Sequence, residues 1–212
     1  MNSDFSTAID TIIAQRRSIR KYKSDPVPRD VVLKLIEAAR LAPSGSNRQA
    51  WRFYIVDDDM SRAKLRKSQA VKQQFALQAP VCIVCCVDMA RYTTAETEVC
   101  IKELVDTGNM DPDASMEDYW EWWHSVSKGA EVALLAFLDL GIAVEHMVLA
   151  ATAYGLGTCW MRRIDPVGIA EALSLPKDYM VIALLAVGFP AEQPKQRPRK
   201  PIETFIVPHD LQ

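Results

Sequence analysis

Histidine is nearly absent from this chain: among 212 residues only His124, His146 and His209 occur, and none stands at a metal-ligand spacing from a carboxylate. With no zinc helix, nucleophile elbow or Walker loop either, hydrolytic and metal chemistry are poorly supplied. His146, in an apolar stretch, reads as a satisfied core histidine. Glycine is sparse, at eight residues. Its one close pair, Gly155-Leu156-Gly157, follows a helical pattern and leads into a strand, the reverse of a dinucleotide fingerprint, and the third glycine is missing. It reads as a helix C-cap that uses glycine's freedom at positive φ. Apolar runs such as Val132 to Leu138 fall far short of a bilayer span. No basic, apolar and cleavage regions succeed one another at the N-terminus, so a soluble, unexported protein is expected. Neither charge sign dominates: 25 Lys and Arg against 27 Asp and Glu leave a net charge of −2, which does not indicate a nucleic-acid surface. Five cysteines, an odd set, argue against a disulfide scaffold and for the cytoplasm. Three of them fall in Val81-Cys82-Ile83-Val84-Cys85-Cys86-Val87, with no second pair and no histidine nearby, and read as buried small hydrophobes.

What is abundant is apolar sequence. At 49% apolar residues the chain can bury a full core as one domain over 1–212, alone or sharing that core with a second copy. Ser6 or Thr7 as N-cap, followed by Ile9, Ile12 and Ile13 at helical spacing, predicts a first helix. Past Asp25-Pro26-Val27-Pro28, a second helix presents Val31, Val32, Leu35, Ile36 and Ala39 on one face and ends at Ala42-Pro43. Residues 51–56 read as a strand, 59–78 as a helix with polar interruptions, and 79–87 as a central strand buried on both faces. The stretch 92–128 is the least patterned, with aromatics clustered at Tyr119, Trp120, Trp122 and Trp123. A long helix over 129–154, interrupted by Glu131, Asp139, Glu145 and His146, suits a core or a dimer seam. A short strand at 158–161, a short helix at 166–172 and a buried strand at 180–187 follow. Prolines extend the tail from 194 to 201, and 204–207 can add a strand to a sheet edge. Few strands among long helices, with no internal repeat, argue for α+β with a small sheet rather than a doubly wound one.

Chemistry concentrates in two cationic segments and two polar loops. Arg16-Arg17-Ser18-Ile19-Arg20-Lys21-Tyr22-Lys23 places five cations within eight residues, just beyond the first helix. Taken alone, it reads as a solvated helix end whose cations match the partial negative charge there. As a site, its arginine forks and the Ser18 hydroxyl suit one phosphate. Lys195 to Lys200 is the second cationic segment, and 43–49 and 155–162 are the loops. Together these are the parts of an anionic cofactor site.

At this point the sequence resembles the FMN-dependent nitroreductase superfamily. Arg16 to Tyr22 is similar to its N-terminal signature, and Pro43-Ser44-Gly45-Ser46-Asn47-Arg48-Gln49-Ala50-Trp51 to its second motif. Ala151 to Met161 resembles the third, and Gly188-Phe189-Pro190 with Arg197-Pro198-Arg199-Lys200-Pro201 the fourth. The resemblance implies a nitroreductase-like α+β fold: a central mixed sheet of four or five strands flanked by helices, in an intertwined homodimer. The C-terminal extension, 194–212, would reach toward the partner subunit, and 96–128 would be a variable lid or substrate-pocket region. FMN would lie at the subunit interface, reduced by NADH or NADPH, with no metal, nucleic-acid or membrane partner.

Carried over motif by motif, Arg16 would contact the flavin's pyrimidine side or ribityl chain and stabilise the reduced ring electrostatically. Ser18 and Arg20 would hold phosphate, supported by Arg17. Pro43, Ser44, Gly45 and Asn47, with Gln49 nearby, would come from the other subunit. Trp160, Met161 and Arg162 would place backbone groups beside the ring, including an N–H near N5, and Arg197 and Arg199 would complete the phosphate clamp. Tyr119, Trp122 and Trp123 would cover the ring and sandwich flat acceptors, unless they pack against the long helix instead. Several members carry Glu-Gly where this chain has Arg162-Arg163, and Lys72 or Gln73 stands in for a polar contact with no clear match. The activity implied is NAD(P)H-dependent reduction of nitroaromatics, quinones or similar acceptors by ping-pong hydride transfer, with no side-chain acid or base required. The alternatives are a related flavin enzyme, such as a reductive dehalogenase, a flavin-fragmenting enzyme or a metabolite dehydrogenase, and a non-catalytic FMN-binding module.

Overall fold

A computed structural model describes residues 3–111, 116–127 and 129–207. His209, the end of the tail and part of the expected variable segment therefore lie outside the described residues. Four strands form one sheet in the order β1-β2-β4-β3: β1 Trp51–Val56, β2 Val81–Asp88, β3 Gly157–Met161 and β4 Tyr179–Gly188. These pairings are all antiparallel, and the one parallel pairing among the described residues is an isolated bridge between Ser18 and Thr158.

The two central strands read as continuous apolar runs because both their faces are covered. Ile83, Cys85 and Val87 of β2, with Ala183, Leu185 and Val187 of β4, face α2 (Arg29–Arg40) and α6 (Glu131–Ala153). The alternate residues, Cys82, Val84, Cys86, Leu184 and Ala186, face α3 (Asp59–Ser68) and α7 (Pro166–Leu173). The result is a helix–sheet–helix sandwich with a core on each side. By length and composition α6 could cross a membrane, yet Leu140, Val144, Met147 and Val148 are buried in the first core. The Nδ1 atom of His146 lies 3.3 Å from the Ala38 carbonyl oxygen, which ties α6 to α2.

Several expected boundaries move. The first helix, α1 (Ser3–Gln15), begins ahead of Ser6 and Thr7, so neither is its N-cap. The helix expected over 59–78 stops at Ser68, because Gln69 takes a left-handed conformation (φ 55°) and Val71 bridges to Ile164, leaving one 3-10 turn at Gln74–Leu77. The loose region after Tyr92 contains α4 (Thr94–Asp106), capped by the Thr93 hydroxyl, and α5 (Glu117–Val126). The strand expected at 204–207 is not formed in the single chain. A 3-10 turn spans Ile202–Phe205, and Phe205, Ile206 and Val207 stay exposed.

Candidate functional site

The chain leaves α1 and runs across the start of β3 and the exit of β4. The N–H of Ile19 donates to the Thr158 carbonyl at 2.8 Å, that of Lys23 to Phe189 at 2.9 Å, and that of Ala191 back to Lys21 at 2.9 Å. Glu192 secures the same segment by accepting the backbone N–H groups of Arg20 (2.6 Å) and Lys21 (3.2 Å). Buried Ile19 seats against Gly157, where an added Cβ would come within 2.5 Å of its Cγ1, so only glycine permits this approach. Gly155, at φ 71°, caps α6 just before it.

This threading brings sequence-distant cations together. Arg16, Arg17, Ser18 and Arg20 share a cleft of about 300 Å³ with Pro194, Lys195, Gln196, Arg197 and Arg199. Arg17 closes the end of α1 by donating to the carbonyls of Ala14 (2.6 Å) and Arg16 (2.8 Å), and Arg20 donates to that of Ser18 at 3.3 Å. Six cations line the cleft, and no acid does so among the described residues. Glu145 of α6 faces Arg16. Burial raises its carboxyl pKa, while the Arg16 charge and a Trp160 hydrogen bond pull the other way.

A second pocket, of about 390 Å³, opens beside the loop at 43–49. Ser46, Asn47 and Gln49 all have positive φ (49°, 53° and 48°), a conformation that side chains resist and that the surroundings must hold. The Asp139 carboxylate accepts the Gly45 N–H at 3.1 Å and the Tyr92 hydroxyl at 2.7 Å. Burial, and after it the hydrogen bond and negative charge of Asp139, push the Tyr92 phenol pKa upward. The Ser44 hydroxyl accepts the Gln49 N–H at 3.0 Å. Arg48 is only 3% exposed, with its guanidinium 4.3 Å from the Trp123 ring centroid and 5.3 Å from that of Tyr92. It donates to the Gly45 carbonyl (3.0 Å), the Thr97 hydroxyl (2.9 Å) and the Tyr119 hydroxyl (3.3 Å). Pro43, Tyr119, Trp122, Leu135, Leu138 and Ile142 complete the walls.

A profile of the Nitroreductase family matches residues 13–189. The chain belongs to the nitroreductase family. Among its relatives is a Thermus thermophilus protein called NADH dehydrogenase, 30% identical over 197 residues, covering 93% of this chain and 94% of that one. The FMN reductase [NAD(P)H] of Bacillus subtilis is 30% identical over 193 residues, 90% of this chain and 69% of its own. A protein of Exiguobacterium sibiricum, solved in complex with FMN, superposes with a TM-score of 0.78 at 25% identity, over 94% of this chain and 96% of that one.

Within this nitroreductase-family fold the expected residues divide between two places. Arg16, Arg17, Ser18, Arg20, Arg197 and Arg199 meet in the cationic cleft, whereas Pro43, Ser44 and Gly45 line the second pocket with Tyr119 and Trp122. Asn47 and Gln49 are exposed on the same loop. Trp160 and Met161 lie on β3, and Arg162 beyond it holds its guanidinium 5.9 Å from the Phe137 ring centroid on α6. Lys72 lines neither site; it is exposed and bonds the Gln69 carbonyl at 2.9 Å. Trp123 differs from Tyr119 and Trp122: it is wholly buried under Arg48 and packs as core, so it does not face the pocket. Sequence reasoning passed over Arg48, Asp139, Glu145 and Glu192. The available signals were a charge inside an apolar helix, for Asp139 and Glu145, and a lone acid ahead of a basic tail, for Glu192.

Proposed function

We propose that this protein is an FMN-dependent NAD(P)H oxidoreductase that reduces nitroaromatic, quinone or similar flat acceptors in two alternating half-reactions. One observation carries the cofactor assignment: six cations from two segments far apart in sequence share a cleft whose described lining contains no acid. FMN's terminal phosphate is nearly dianionic, and charge-assisted bonds to arginine forks are the strong ones. Ser18, Arg20, Arg197 and Arg199 would hold that phosphate, with Arg17 supporting them from the end of α1, and Arg16 would contact the pyrimidine side of the ring or the ribityl chain. Bound FMN would supply the two-electron chemistry between NADH or NADPH and the acceptor. The chain's own part is to orient both partners and keep water out. Trp160, Met161 and Arg162, at the end of β3, would border the ring.

The division into two half-sites supports a homodimer in which Pro43, Ser44, Gly45, Asn47 and Gln49 of one subunit meet the cationic cleft of the other. Exposed Leu134 and Leu138 on α6, Phe5, Ile9 and Ile13 on α1, and the apolar tail supply surface for such a seam. Edge strand β1 offers the tail a place to pair. Five buried free thiols suit the cytoplasm. The test is anaerobic stopped-flow absorbance. The purified protein should carry flavin bands that NADPH or NADH bleaches and a quinone restores; a yellow protein that neither nucleotide bleaches contradicts the assignment.

A further inference from the structure

We propose that Glu192 is a positioning residue for the flavin phosphate: by clamping the point where the two cationic segments part, it sets the width of the cleft and so favours FMN over flavin without phosphate. The proposal rests on reading that cleft as the phosphate seat. Residues 21–23 and 189–191 run side by side, with Tyr22 bridging Pro190 antiparallel, the Lys23 N–H donating to the Phe189 carbonyl and the Ala191 N–H to that of Lys21. Past this short ladder no backbone–backbone bond joins the two segments among the described residues, and both line the cleft. Glu192 is the first residue beyond the ladder.

Its carboxylate serves that fork. One oxygen, Oε1, accepts the backbone N–H groups of both Arg20 (2.6 Å) and Lys21 (3.2 Å). Hydrogen bonds to an ionised acceptor are about twice as strong as neutral ones. Farther along, the hydrogen bonds of residues 193–200 among the described residues stay within that stretch, running from Arg199 to the carbonyls of Arg197 and Pro198. Glu192 is thus the last tie between the body and the tail before Arg197 and Arg199. The opposite wall is fixed independently, where the Ile19 N–H meets the Thr158 carbonyl at 2.8 Å. Losing the Glu192 tie frees one wall only.

Charge and geometry make opposite predictions here. Six cations line the cleft, and among the described residues Glu192 forms an ion pair with none of them. If its charge is what matters, removing it strengthens the pull on a dianionic phosphate. If its reach is what matters, removing it lets the tail wall drift, and arginine forks depend on placement for their paired bonds. Glu192→Gln keeps an acceptor oxygen at the same reach and drops the charge, so it separates the two.

Titration of the full-length protein, stripped of flavin, with FMN and with riboflavin, followed by flavin fluorescence, gives the ratio of the two affinities without turnover. The natural protein should favour FMN about a hundredfold and Glu192→Ala about tenfold or less, with riboflavin affinity changed less than about twofold. Glu192→Gln should stay within about threefold of the natural ratio. Glu192→Asp, a methylene shorter, should fall with Glu192→Ala, and the aspartate and glutamine substitutions still decide should Glu192→Ala fail to fold. An unchanged or higher ratio in Glu192→Ala, or a ratio in Glu192→Gln that falls as far, overturns the proposal. So does an equal loss of FMN and riboflavin affinity, which marks a merely structural role. If the natural protein binds FMN and riboflavin equally, the phosphate reading of the cleft falls too; a natural preference that Glu192→Ala leaves intact removes only the role of Glu192.

Discussion

Arg62 shows how one side chain can organise a strand crossing. It is 9% exposed, and its guanidinium donates to the carbonyls of Leu77 (3.0 Å), Ala79 (2.7 Å), Val56 (3.3 Å) and Pro80, where β1 ends and β2 is about to begin. Arg62→Met would keep the aliphatic stem and leave four carbonyls without that donor. Each unsatisfied buried group costs about 1–3 kcal/mol, so a loss of about 3 kcal/mol or more is expected. A lower urea midpoint at unchanged slope would register it. Lysine should recover only part, because a compact ammonium cannot span that spread of acceptors. Four residues earlier, the Asp58 carboxylate caps α3 by accepting the Ser61 N–H at 2.8 Å, and that bond holds its pKa below the usual carboxylate value. A depressed folded-state pKa lends stability that is complete above the unfolded value, about 3.9, and is lost as pH falls through the folded one. Asparagine caps without titrating. The melting temperature of the natural protein relative to Asp58→Asn should therefore hold steady above about pH 5 and fall below about pH 4. A constant offset down to pH 3 would show that the cap is not linked to protonation.

The elements differ in how far the sequence foretells them, and the reason is the range of the forces that fix each one. β1 falls on the expected residues 51–56, and β2, β4 and α6 lie within a residue or two of expectation, because two-sided burial writes itself as continuous apolar sequence. Where α3 ends was not legible. Gln69 turns left-handed so that Ala70 and Val71 can reach the core, and the partners that fix this, Ile164 and Asp165, lie almost a hundred residues away. The cationic cleft was legible in its residues from the motif resemblance. So was the meeting of its two segments; the backbone pairings that bring it about, Ile19 with Thr158 and Lys23 with Phe189, were not. Arg48 was hidden for the same kind of reason: in sequence it is one more polar loop residue, and Thr97, Tyr119 and Trp123 become its partners only when α4 and α5 pack over the loop.

For the whole molecule, the separation of the second motif from the cationic cleft makes association part of the proposed function. A dilution series by light scattering should report twice the chain mass with flavin bound, and shortening the chain to residue 193 should lower both flavin retention and the dimer fraction. A flavin-loaded monomer would contradict the shared site. The buried thiols have a further consequence. All five cysteines lie inside the fold; burial pushes the Cys82 and Cys86 pKa values up to about 12 and holds Cys85 well above the ordinary value. Alkylating reagents attack the thiolate, so the closed molecule is nearly inert to them. Labelling then becomes a clock for opening, with one hand for each region: Cys100 on α4 and Cys159 on edge strand β3 should time local breathing, while Cys82, Cys85 and Cys86 on central β2 should time only the loss of the whole sheet.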